Sequence, residues 1–152
     1  MKIKKINSGF TLIEVLVAAG ILVFCLCGLL VTYIGCFILN ETSRNTTIAL
    51  SGARTKMEEL KQETFDNLLN HNGEVFDVTG FTLGRAKGRV EVTDIAGYTD
   101  LREIRIIVSF RQSQNRLIGE DINLNGLFDA GEDLNANNRL DSPIEVVSLV
   151  SR

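Results

Sequence analysis

The sequence predicts an α+β protein. One long N-terminal helix, apolar enough in its first half to span a membrane, packs through its second half on a small antiparallel sheet of three to four strands. Three observations carry this. From Phe10 to Leu39 thirty residues hold a single charge, Glu14. From Ile48 to Leu60 small and apolar residues recur at helical spacing, and beyond Gly73 short stretches alternate apolar with polar. At 152 residues, 45% of them hydrophobic, with one proline and no tryptophan, the chain is too apolar for disorder and too short for a two-domain enzyme.

The helix comes first. Met1 to Ser8 carries Lys2, Lys4 and Lys5, which by the positive-inside rule keeps the N-terminus in the cytoplasm and sends the rest outward in a single pass. A secretory signal has an apolar core of about 7–15 residues, and this run is roughly twice that, so it reads as a retained span. Cys25, Cys27 and Cys36 all lie inside it, so the polar part cannot hold an internal disulfide. The helix is expected from Phe10 to about Asn70, loosened near Asn40 to Asn45 and ended by Asn72-Gly73; at 1.5 Å per residue that is about 90 Å. Its Ala49, Ala53 and Met57 form a narrow face for a sheet. The chain therefore divides into a basic leader (1–9), a transmembrane helix (10–39), a continuation that braces the head (40–72) and a β head (73–152) containing a polar loop (120–143).

Strands follow from period-two alternation. Val75 to Val78 and Phe81 to Leu83 are short candidates, Arg89 to Thr93 is clearer, Leu101 to Arg111 is the longest, and Glu145 to Val150 is the last. In the longest, Leu101, Ile104, Ile106, Val108 and Phe110 are expected on one face against Arg105, Ser109 and Arg111 on the other. Asp94-Ile95-Ala96-Gly97 supplies the connection between the two central strands.

A carboxylate inside a span costs about 2.5–3.5 kcal/mol on insertion scales, so Glu14 needs a partner or a task. It stands in Gly9-Phe10-Thr11-Leu12-Ile13-Glu14, directly after the basic leader. This stretch resembles the processing motif of type IV prepilins and pseudopilins. The resemblance implies that a prepilin peptidase cuts after Gly9, removing 1–9, and N-methylates Phe10. A new amine on Phe10 would then pair with Glu14 of a neighbouring subunit, satisfying both buried charges and setting an axial register. The family assembles from the bacterial inner membrane through an assembly platform, by contacts among the N-terminal helices of other pilin or pseudopilin subunits, into a pilus or a type II secretion pseudopilus. The head is then periplasmic or at the cell surface. The family's abundant subunits often carry a proline inside the span, whereas the only proline here is Pro143, which suits a minor subunit. The alternative reading is a membrane-anchored extracytoplasmic calcium-binding or adhesive module that does not polymerise.

A second motif lies in the polar loop. Asp121, Asn123, Asn125, Leu127, Asp129 and Glu132 fall at positions 1, 3, 5, 7, 9 and 12 of a calcium loop, with Gly126 at 6; alternate oxygens converge because the glycine turns the backbone, Leu127 adds its carbonyl and Glu132 closes the shell. Asp133, Asn135, Asn137, Arg139 and Asp141 repeat the pattern as a weaker turn, with Asn138 in place of glycine and Ile144 in place of the closing acid. Ca²⁺ is the expected cofactor, a staple where no disulfide is available. No enzyme is expected: His71 is the only histidine, in an apparent turn, and no cysteine lies outside the span. Removing Lys2, Lys4 and Lys5 leaves 13 basic residues against 19 acidic ones, a net charge of -6, so no general nucleic-acid surface is expected.

Overall fold

A computed structural model describes residues 9–113 and 115–152; the leader lysines Lys2, Lys4 and Lys5 lie outside the described residues. The chain falls into two compact units, divided between Asn40 and Glu41. The helix α1 runs over Leu12–Lys61. In the first unit its side chains are largely exposed, Cys25, Cys27 and Cys36 among them. The helix is long and apolar enough to cross a membrane, and its most apolar stretch is unburied. The expected loosening near Asn40 to Asn45 does not occur, since the helix continues there without a break.

The helix ends nine residues earlier than expected. Gln62 and Glu63 already donate to the carbonyls three residues back, Glu59 and Leu60, each at 3.1 Å, the tightened last turn of a helix end. Phe65 then turns onto the sheet, where the Arg102 guanidinium lies 4.2 Å from its ring centroid and donates to its carbonyl. A 3-10 turn over Leu68–His71 follows. Local propensity would have carried the helix to Asn70; a tertiary contact overrides it.

Among the described residues the second unit has five strands: β1 (Val75–Asp77), β2 (Ala86–Asp94), β3 (Leu101–Arg111), β4 (Leu117–Ile118) and β5 (Glu145–Ser151). All pair antiparallel, in the order β1-β2-β3, with β4 and β5 sharing the far side of β3. The two-residue β4 was not expected. Phe81 to Leu83 forms no strand, only an isolated bridge from Phe81 to Thr79; Phe81 instead stacks at 5.2 Å on Phe110 and serves the core. Gly88 pairs with Phe76, whose ring lies where a Cβ would project, so the aromatic fills the gap that the glycine leaves.

The core lies where expected. Ala49, Ala53, Met57 and Leu60 of α1 are buried against Val90, Val92, Ile104, Ile106, Val108 and Phe110. Each fully buried large apolar side chain contributes about 1.5–3 kcal/mol. The small alanines let the helix approach the strands closely. One residue of β3 departs from its expected face. Strict alternation places Arg102, not Leu101, with Ile104 and Ile106, and Arg102 closes that end of the core through Asp94 at 2.8 Å.

The far face of β3 is also buried. Arg105, Ile107 and Ser109 are each at most 3% exposed, because the loop between β4 and β5 lies over them. Arg105 donates to Leu140 O (3.2 Å) and Arg89 to Gly126 O (2.9 Å), while Gly119 sits against Ser109 and Gly126 against Val75. The sheet is therefore covered by the helix on one face and by the loop on the other.

Candidate functional site

At the start of α1 the residues Thr11 and Glu14 hold one another. Glu14 Oε2 accepts from the Thr11 N–H and the Thr11 hydroxyl, both at 2.9 Å, and the Thr11 hydroxyl oxygen accepts from the Glu14 N–H at 3.3 Å. This is a reciprocal capping box, satisfying N–H groups that a helix start leaves open. Its sequence signal is Thr-x-x-Glu directly before the apolar run. Gly9 and Phe10 precede the helix, and Phe10 is 88% exposed. Residues 4–30 match the family described as the prokaryotic N-terminal methylation motif. The chain carries the processing motif of type IV pilins and pseudopilins. No curated protein and no solved structure matches. The motif supports a pilin-like or pseudopilin subunit, and subunits of that kind are structural rather than enzymatic. It implies processing by prepilin peptidase and association with other pilins. The apolar helix, together with this motif, fits a membrane-anchored protein.

The second candidate is the loop. Asp121 Oδ1 accepts from Asn125 N–H (3.1 Å) and Oδ2 from Gly126 N–H (2.7 Å). Asn123 Oδ1 accepts from Asn125 N–H (2.9 Å), Asn125 Oδ1 from Leu127 N–H (2.6 Å), and both amide nitrogens donate to Asp129 Oδ2. Every one of these bonds recurs twelve residues on. Asp133 accepts from Asn137 and Asn138 N–H, Asn135 from Asn137 N–H, Asn137 from Arg139 N–H, and both amides donate to Asp141 Oδ2. The backbone repeats as well. Leu124 and Gly126 have φ of 56° and 76°, and Ala136 and Asn138 have 58° and 62°, so Asn138 takes the left-handed position that Gly126 takes in the first turn.

The turns differ in how they close. Glu132, 3% exposed, accepts from Ile122 (2.8 Å), Asn123 (3.4 Å) and Asp129 (3.1 Å) N–H groups; its counterpart Ile144 is buried in the apolar core. Burial pushes Asp121 above the usual carboxylate range, against the hydrogen bonds from Gly126 and Asn125, and the charge of Glu132 adds to the rise. Among the described residues no three His, Cys, Asp or Glu side chains are gathered so as to hold a metal ion. The first turn offers three carboxylates, and each is engaged by N–H donors.

The base of the loop is clamped. Glu120 and Asp141 exchange bonds through Glu120 N–H to Asp141 O (2.9 Å) and Asp141 N–H to Glu120 Oε2 (3.0 Å). Arg105, missed as a site residue because it sits mid-strand in an ordinary alternation, binds Glu145 at 2.6 Å, Glu91 at 2.8 Å and Asp141 at 2.5 Å. His71 is half-buried, with Nδ1 at 2.5 Å from Glu74, which also binds Lys56 at 2.7 Å. Glu74 is held below its ordinary range by the Lys56 hydrogen bond foremost.

Proposed function

We propose that this chain is a minor subunit of a type IV pilus or type II secretion pseudopilus, processed after Gly9, N-methylated on Phe10 and assembled from the inner membrane through its N-terminal helix. The methylation motif carries the reading. The exposed apolar first half of α1 supports it, because its side chains up to Leu39 are largely exposed and can meet lipid or other helices. The head is periplasmic or at the cell surface, and the protein has no catalytic role. N-terminal sequencing of the protein from a peptidase-competent cell tests the processing step: a chain beginning with N-methyl-Phe10 supports it, and an intact Met1 leaves only a tethered module. Assembly is tested at Glu14 with two substitutions. Glu14→Gln keeps a side chain able to close the capping box but removes the charge, while Glu14→Ala removes both. Both should be cleaved and both should be missing from sheared filaments; incorporation of Glu14→Gln at the wild-type level would remove the charge-pair argument.

The first turn of the loop is proposed to take Ca²⁺. Its donors are all oxygen: the carboxylates of Asp121, Asp129 and Glu132, the amides of Asn123 and Asn125, and the Leu127 carbonyl, a set that suits a hard cation. The raised Asp121 beside Glu132 supports the fit, since two buried carboxylates close together favour a cation between them. When bound, the ion would neutralise those carboxylates and hold the loop over the sheet; the Asn123 and Asn125 amides would turn their oxygens inward.

A further inference from the structure

We infer that the two turns of the loop have different occupants: the first is the divalent-cation turn, and in the second the fixed guanidinium of Arg105 supplies the positive charge, so the chain takes one ion and not two. This rests on the calcium reading of the first turn and concerns what the twelve-residue repeat leaves unequal. The Asx bonds of the two turns correspond one by one, so the backbone does not distinguish them. Their charges do. Asp129, at position 9 of the first turn, accepts from Asn123 and Asn125 and, among the described residues, forms no ion pair. Asp141, at position 9 of the second, has Arg105 Nη2 at 2.5 Å and Arg139 Nε at 3.3 Å on Oδ1.

Arg105 cannot leave to make room. Its side chain is 4% exposed and is pinned by Glu91 and Glu145 on the sheet and by the Leu140 carbonyl. A divalent ion in the second turn would share Asp141 with a guanidinium that is buried and immobile. The second turn also lacks a closing acid, because Ile144 is committed to the core. Of its two carboxylates Asp141 is paired with two arginines, whereas among the described residues none of the three carboxylates of the first turn forms an ion pair with an arginine; Arg89 and Arg111 reach only the Gly126 and Ile122 carbonyls there. Affinity for calcium follows the charge and number of the ligands, so only the first turn is equipped. The second then acts as a turn that folds without metal and presses Leu140, 2% exposed, onto the sheet beside the metal-dependent one.

The test counts ions on the full chain in detergent micelles, stripped with chelator and titrated with calcium chloride by calorimetry. One ion per chain is expected. Glu132→Gln should weaken binding more than tenfold, while Asp141→Asn and Asn135→Ser should leave one ion with affinity within about twofold. Asn135→Ser leaves Arg105 and its acid partners in place and so decides the matter if Asp141→Asn fails to fold. Two ions per chain, or loss of the single ion with Asn135→Ser and not with Glu132→Gln, would overturn the inference while leaving calcium binding intact. No ion at all would overturn the calcium reading and this inference with it.

Discussion

Arg105→Met removes a cation that joins β2, β3, β5 and the loop. The side chain is 4% exposed and bonded to Glu91, Asp141 and Glu145, so methionine fills part of the volume but takes the shared cation from three carboxylates, of which Glu91 keeps Arg89 and Asp141 keeps Arg139, each at 3.3 Å. Removing one partner of a buried ion pair costs about 3–5 kcal/mol. Here the acids are 20%, 24% and 31% exposed and rehydrate in part, which sets the cost at the low end, about 3 kcal/mol. For a unit of this size, about 4 °C per kcal/mol places the fall in Tm at about 12 °C. The assay is a circular-dichroism melt of the detergent-solubilised chain in chelator, so that ion binding cannot mask the loss. Arg105→Met combined with Glu91→Gln and Glu145→Gln should recover at least half of the fall, because the cost lies in uncompensated charge. A single variant within about 3 °C of wild type, or a triple variant no better than the single, would refute the reasoning.

Calcium at about a hundred times its Kd should stabilise by about 2.7 kcal/mol, a Tm about 10 °C above that in chelator, and magnesium should not substitute; equal melting in calcium and chelator would return the first turn to a solvated polar loop. Met57→Ala, at a side chain 2% exposed between α1 and the sheet, should cost about 2–5 kcal/mol in denaturant titration, and a neutral result would place the core elsewhere. Glu74, held low by Lys56, contributes stability that is full above its unfolded range and is lost as the pH falls through its folded value. Lys56→Met should therefore flatten the acid limb of a stability–pH profile, and an unchanged limb would show that Glu74 does not shape it.

Features set by local pattern were legible in the amino-acid sequence. The thirty-residue apolar run, the Gly9 to Glu14 motif, the buried stripe of Ala49, Ala53, Met57 and Leu60, the extent of β3 and the twelve-residue repeat from Asp121 all depend on spacing along the chain, which periodicity reports directly. What only the tertiary structure decided depends on residues far apart. The helix stops at Lys61 because Arg102 captures Phe65, Phe81 leaves strand geometry to stack on Phe110, and Leu101 yields the core face to Arg102. The repeat makes the two turns look like a strong site and a weaker copy. What separates them more sharply is Arg105, an arginine thirty-six residues before Asp141, brought beneath the loop because β3 is covered on both faces. Charge compensation across such a distance leaves no periodic trace, since any arginine in an alternating strand reads as solvent-facing until the segment that buries it is in place.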